Sequence, residues 1–201
     1  MSTVITGTEV TATDEDLSGD NGRQVEVSGG NGDTTSRIVD FQNVTAGDPV
    51  DTGAATSGGG TIASNAPAGA PVIDGVYFNS GAGNDAIAGS GANDFIRAGA
   101  GDDIINTGDG DDVVRGGSGS DTITLGGGAD TVYYTIDQLD GSTDTVTDFS
   151  SDDKISLDSD VSASISGNVI TLTGADGRTS TLLLPEGQDY EIDDDGDIVV
   201  G

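Results

Sequence analysis

Residues 80–133 read SGAGNDAIA GSGANDFIR AGAGDDIIN TGDGDDVVR GGSGSDTIT LGGGADTVY, six nine-residue units laid end to end. The sixth position of each unit is an aspartate: Asp85, Asp94, Asp103, Asp112, Asp121 and Asp130. Two places later stands an aliphatic residue: Ile87, Ile96, Ile105, Val114, Ile123 and Val132. Glycine fills most second positions (Gly81, Gly99, Gly108, Gly117, Gly126) and most fourth positions (Gly83, Gly101, Gly110, Gly119, Gly128). Glycine enters positive-φ turns without steric penalty, and alternate strand residues face opposite ways. Each unit therefore reads as a six-residue turn followed by a three-residue strand whose middle residue points inward. The unit GSGAND departs most, with Ser90 and Ala92 at positions that are glycine elsewhere.

One unit cannot bury its aliphatic residue alone, so the units must stack into a solenoid with a narrow axial core. If two turns and two strands make one coil, the coil is two units long. Asp85, Asp103 and Asp121 then line one edge of the coil stack, and Asp94, Asp112 and Asp130 line the other. A single Gly-Asp pair is an ordinary turn former on a solvated loop; six in strict register with an inward aliphatic are not explained that way. The expected fold is all-β: a parallel β-roll, that is, a two-sided solenoid.

The repeat resembles the calcium-binding nonapeptide repeats of RTX (hemolysin-type) proteins, and the unit GGSGSDTIT at residues 116–124 carries every defined position of that pattern. The resemblance implies ions between successive turns on one edge, held by aspartate carboxylates and main-chain carbonyls. Carried onto this chain, the paired carboxylates are Asp85 with Asp103, Asp103 with Asp121, Asp94 with Asp112, and Asp112 with Asp130. The carbonyl donors are Gly81, Gly83, Gly99, Gly101, Gly108, Gly110, Gly117, Gly119, Gly126 and Gly128. Donor chemistry points the same way: calcium takes six to eight hard oxygen ligands in flexible geometry, whereas magnesium demands a tight octahedron. Structural zinc wants histidine or cysteine, and the chain has neither.

Charge supports coupled binding and folding. Residues 78–133 hold nine aspartates against two arginines, net −7, which four divalent ions would turn into +1. Without metal, folding crowds like charges; with it, they are neutralised. The whole chain carries −30 and offers no basic footprint for nucleic acid. No stretch approaches the roughly 20 apolar residues of a membrane helix, and the start MSTVITGTEV lacks the basic and apolar runs of a cleaved signal peptide. Without histidine or cysteine, Ser-His-Asp, Cys-His and His-ligated zinc mechanisms have no residues to run on. Four Phe, four Tyr and no Trp leave no aromatic-rich cleft for paired carboxylates, so no enzyme is expected. Lys154 reads as a surface ion-pair partner.

Four segments are expected. Residues 1–43 form a small β-rich or partly disordered region with strands at Val4–Thr6, Gln24–Val27 and Arg37–Phe41; its GGNGD at residues 29–33 is either a lone turn or a calcium site. Residues 44–71, rich in Gly, Ala, Ser, Thr and Pro, read as a linker. Residues 72–160 make the roll with its cap, beginning with a strand at Val72–Phe78 that covers the first end. Val146, Phe149, Ile155 and Leu157 are expected to form the core of a C-terminal β-strand cap. Asp144, Asp148 and Asp153 either bind a further ion or sit in solvated turns. Tyr133 and Tyr134 either pack into the cap or touch a ligand. Residues 161–201 hold a hairpin of Val169–Thr173 and Thr179–Leu184. The terminal DIVV (Asp197–Val200) resembles the uncleaved C-terminal signal of type I export substrates, the alternative being an edge strand.

The functional expectation is a secreted, calcium-binding structural or adhesive protein, extracellular or attached to a cell surface. Its partners would be calcium ions, the type I secretion apparatus during export, and a surface, a matrix or further copies of the chain, with neither nucleic acid nor a transmembrane segment involved. The alternative is a noncatalytic binding subunit of a larger extracellular or particle assembly, contacting its partner through the N-terminal region ahead of the roll.

Overall fold

The computed structural model describes residues 76–89 and 91–201, together with the backbone of five upstream strands. The GGNGD turn at 29–33, most of the expected linker, and Ser90 lie outside the described residues.

Two sheets face each other across a narrow core. The first runs β1 (Thr3–Ile5), β3 (Arg23–Val27), β5 (Val50–Asp51), β6 (Val76–Ala82), β8 (Phe95–Ala100), β10 (Val113–Ser118), β12 (Thr131–Tyr134), β14 (Lys154–Leu157), β19 (Ile198–Val200), β18 (Tyr190–Ile192). The second runs β15 (Val161–Ser166), β16 (Val169–Gly174), β17 (Thr179–Leu183), β13 (Thr143–Val146), β11 (Thr122–Thr124), β9 (Ile104–Asn106), β7 (Ala86–Ala88), β4 (Ile38–Asn43), β2 (Glu9–Thr13). The chain alternates between sheets through the repeats, so consecutive strands of one sheet are parallel. Tyr77 stands beside Phe95 and Phe95 beside Val113, while Ala86 stands beside Ile104 and Ile104 beside Thr122. Every one of these steps spans two repeat units, the coil length expected from the sequence. This is the parallel, two-sided β-roll.

The aliphatic of each unit points inward as its alternation requires. Ile87, Ile105 and Ile123 from one sheet meet Ile96, Val114 and Val132 from the other, all at most 3 % exposed. Burying each such side chain stabilises the roll by about 1.5–3 kcal/mol, and the next coil is needed to cover it.

At the upstream end the structure departs from expectation. β6 pairs with β8 on one side and with β5 on the other, so it is an interior strand rather than the first cap. β1 to β5 extend both sheets by parallel pairing: β1 with β3, β3 with β5, β2 with β4, and β4 with β7. Val50–Asp51, inside the stretch read as linker, supplies one of these strands.

At the downstream end the repeat lengthens. Thr131 pairs with Lys154 and Thr122 with Thr145, each step longer than a two-unit coil. Val146, Phe149 and Ile155 are buried in the same core, and Leu157 packs against it partly buried. Beyond them β17 runs parallel to β13, and β16 and β15 close the second sheet by antiparallel pairing. The expected hairpin is β16–β17, joined at Thr173 and Thr179, with Gly177 at positive φ in its turn. β19 is an interior strand, antiparallel to both β14 and β18, with Ile198 fully buried. Lys154 Nζ bonds Asp197 Oδ2 at 2.7 Å, an ion pair that ties the terminal strand to β14.

Candidate metal centre

The turns between the short strands stack along two edges. Their glycines adopt the backbone that the pattern requires: Gly101 has φ +129° and Gly117 φ +124°. A Cβ at Gly101 would collide with the carbonyl oxygen of Gly83, and one at Gly117 with that of Gly99, each one coil away. Successive turns thus bring bare backbone, carbonyls included, into direct contact. Gly110 and Gly128 repeat the arrangement on the other edge against Ala92 and Gly110. The carbonyls are not all equivalent: that of Gly108 accepts the Gly127 N–H at 3.0 Å. No non-glycine residue among the described ones has positive φ, so Ala92 holds its turn in another conformation. That is the physical consequence of GSGAND lacking a fourth-position glycine.

The repeat aspartates are buried, each at most 2 % exposed. On the first edge, the Asp85 N–H donates to Asp103 Oδ1 at 2.8 Å, the Asp103 N–H to Asp121 Oδ1 at 2.9 Å, and the Asp121 N–H to Asp144 Oδ1 at 3.0 Å. On the second, the Asp94 N–H donates to Asp112 Oδ1 at 2.7 Å, the Asp112 N–H to Asp130 Oδ1 at 2.8 Å, and the Asp130 N–H to Asp153 Oδ1 at 3.0 Å. Among the described residues each ladder therefore has four rungs. The predicted edge partition holds, and the cap continues both ladders by one aspartate each.

One oxygen of each inner rung is thereby used; the other is not. Oδ2 of Asp103, Asp112, Asp121 and Asp130 is buried with no hydrogen-bond partner. A buried polar atom left so costs about 1–3 kcal/mol, more when it is charged. Burial pushes the Asp103 and Asp130 carboxyls up to about 7 and those of Asp112 and Asp121 up to about 8; the accepted backbone N–H opposes the rise and neighbouring carboxylates add to it. A hard cation would satisfy the bare oxygen and offset the desolvation at once. Among the described residues no three acidic side chains converge on a point, so such an ion needs main-chain carbonyls as well. The glycine turns present them.

The cap carboxylates differ. Asp144 Oδ2 accepts the Tyr134 O–H at 2.8 Å, and Asp153 Oδ2 accepts the Ser150 N–H at 2.7 Å. Asp148 accepts the N–H groups of Leu125 and Gly126, both at 2.8 Å. Asp144 lies on the first edge and Asp148 and Asp153 on the second, so the three do not form one cluster. Tyr134 is buried in the core and Tyr133 stacks under the Arg115 guanidinium, 6.0 Å from its ring centre.

Sequence reasoning missed a second ladder. The residue before each aspartate also bonds between coils, in the opposite sense. Asn84 Oδ1 accepts the Asp102 N–H (3.0 Å) and Asp102 Oδ1 accepts the Ser120 N–H (2.8 Å). Asn93 Oδ1 accepts the Asp111 N–H (2.8 Å) and Asp111 Oδ1 accepts the Ala129 N–H (2.9 Å). Its signal was present: the fifth positions run Asn, Asn, Asp, Asp, then Ser120 and Ala129. On the first edge Ser120 continues the ladder with its hydroxyl, Oγ accepting the Thr143 N–H at 3.2 Å.

Residues 79–114 and 107–137 match the family described as RTX calcium-binding nonapeptide repeat (4 copies), so a domain of that repeat family is present, with calcium as its cofactor. No curated protein and no solved structure matches the chain.

Proposed function

We propose that the RTX-type repeat domain folds around calcium ions held by Asp85, Asp94, Asp103, Asp112, Asp121 and Asp130 with the stacked glycine carbonyls. The observation that carries this reading is the set of four buried Oδ2 atoms without a hydrogen-bond partner, two on each edge. Four carboxylates raised toward neutral pH by burial are an unfavourable arrangement in water alone; calcium makes it a favourable one. Calcium supplies charge neutralisation and oxygen coordination, while the aspartate Oδ1 atoms hold adjacent coils in register. Folding and metal binding are then one event.

The chain acts outside the cell as a structural or adhesive component, rigid once it meets extracellular calcium. Two stacked sheets with short parallel strands make a stiff body, and an acidic exterior keeps such bodies from clumping. Passage through a type I secretion apparatus suits a chain that stays unfolded in low calcium. Residues 161–201 complete the roll, since β16, β17 and β19 cover its end. The test is far-UV circular dichroism during parallel titrations with calcium and magnesium. Calcium should give a cooperative gain of strand signal; no gain at millimolar calcium, or an equal gain with magnesium, would refute the metal reading. For the structural role, size and location of the native protein before and after chelation decide. Release of a large surface fraction supports it, and a defined heteromeric particle contradicts it.

A further inference from the structure

Among the described residues the aspartate ladder on the first edge has four rungs, and its last rung is chemically unlike the two before it. Asp103, Asp121 and Asp144 each accept a backbone N–H from the preceding coil through Oδ1. Asp103 and Asp121 then leave Oδ2 buried without a hydrogen-bond partner. At Asp144 the same oxygen accepts the Tyr134 hydroxyl at 2.8 Å.

The difference traces to one column of residues. β8 and β10 pair Arg97 with Arg115 and Gly99 with Gly117, which sets Ala98 beside Gly116. β10 and β12 pair Val114 with Val132, and the same register one coil on from Gly116 puts Tyr134 in the column. Where the column is small, the carboxylate sits close against it: a Cβ at Gly116 would collide with Asp121 Oδ2. Where it is tyrosine, the buried ring crosses to the lengthened next turn and delivers a donor to the carboxylate there. A phenol O–H satisfies a carboxylate oxygen without coordination sites to fill. The oxygen left bare in the inner rungs is here already paired with a protein donor.

We propose that Tyr134 is the stop residue of the first-edge cation array: its hydroxyl takes, at Asp144, the place that calcium takes at Asp103 and Asp121. At the cap the aspartate ladder thus runs one rung past the last cation. The second edge ends by a parallel device, with the Ser150 N–H donating to Asp153 Oδ2 at 2.7 Å, built from backbone and so beyond reach of a side-chain change. The array closes on protein donors at the cap, which lets it end without a half-filled site.

This inference rests on calcium occupying the inner rungs, and its test separates the two claims. Calcium bound per chain is counted by equilibrium dialysis, with folding followed by circular dichroism, for the full chain and three variants. Wild type that binds no calcium refutes the underlying reading, whatever the variants do. Given a calcium-loaded wild type, Asp144→Asn should leave the count unchanged, whereas Asp121→Asn should lower it by at least one. Tyr134→Phe, which keeps the ring and removes only the donor, should bind one additional ion per chain. A lower count in Asp144→Asn would make Asp144 a ligand and overturn the proposal. An unchanged count in folded Tyr134→Phe would also overturn it. If Tyr134→Phe does not fold, the Asp144→Asn count decides alone, because asparagine still accepts the Asp121 N–H.

Discussion

Replacing Asp112 by alanine and by asparagine separates the two tasks of a ladder rung. Asp112 Oδ1 accepts the Asp94 N–H at 2.7 Å, and its Oδ2 is buried with no hydrogen-bond partner. Alanine removes both oxygens. It strands a buried N–H, at about 1–3 kcal/mol, and removes a calcium ligand. An ion present at a hundred times its dissociation constant contributes about 2.7 kcal/mol of folding free energy. Losing both terms costs about 4–6 kcal/mol. Spread over three remaining ions, that is about 1.3–2 kcal/mol each, or roughly ten- to thirtyfold in the calcium needed for half-folding. Asparagine keeps an acceptor for Asp94, so only the ion term is lost, and the midpoint should rise roughly fivefold. Circular dichroism across a calcium titration at fixed pH reads both. Equal shifts for the two variants would refute the hydrogen-bond task, and an unshifted midpoint in Asp112→Asn would refute the ligand task.

Acid should partly replace calcium. Burial raises the Asp112 and Asp121 carboxyls from 3.8 to about 8 in the folded chain, so the folded state binds more protons than the unfolded one between those limits. Stability without calcium is then fully present below pH ~4 and is lost as pH rises through about 8. Strand content in chelator should fall from pH 4.5 to pH 8.5, and calcium addition near pH 7 should release protons; strand content rising with pH would contradict this. Gly117→Ala should raise the calcium midpoint well above that of Gly91→Ala, since a Cβ at Gly117 meets Gly99 and sits at φ +124°, whereas at Gly91 it meets nothing within 4 Å. Ile198→Ala should destabilise the loaded roll by about 2–5 kcal/mol, because Ile198 is fully buried in an interior strand. Thermal melts with and without calcium check the last two, and an unaffected melting temperature in either Gly117→Ala or Ile198→Ala would contradict the packing described.

The repeat was legible because its parts obey short-range rules. A three-residue strand has one inward position, a positive-φ turn wants glycine, and two units return the chain to the same edge. Those rules set the inward aliphatics and the Asp85–Asp103–Asp121 and Asp94–Asp112–Asp130 edges. The cap obeys longer-range rules. The extra residues that lengthen the coil between Tyr134 and Asp144 have no repeat to mark them, so Asp144 and Asp153 read as ligands of a further ion or as solvated turn residues, and not as fourth rungs. Strand β15, Val161–Ser166, alternates Val, Ala and Ile with serines, a weak pattern that only its pairing with β16 fixes. The acidic-then-apolar terminus looked like an export signal or an edge strand because a tail's burial depends on partners far away, here Ile155 and Lys154. Whatever role those residues have in export, their removal also takes a buried strand from the fold, so a secretion defect after truncation must be read beside a folding measurement.

If the orphaned carboxylate oxygens are calcium sites, a crystal structure of the calcium-loaded chain, with anomalous scattering measured to identify the ions, will show them. An ion is expected at each of four positions, adjoining Oδ2 of Asp103, Asp112, Asp121 and Asp130, with none at Asp144. Those four oxygens bound to protein donors or water alone, with calcium elsewhere or absent, would contradict it.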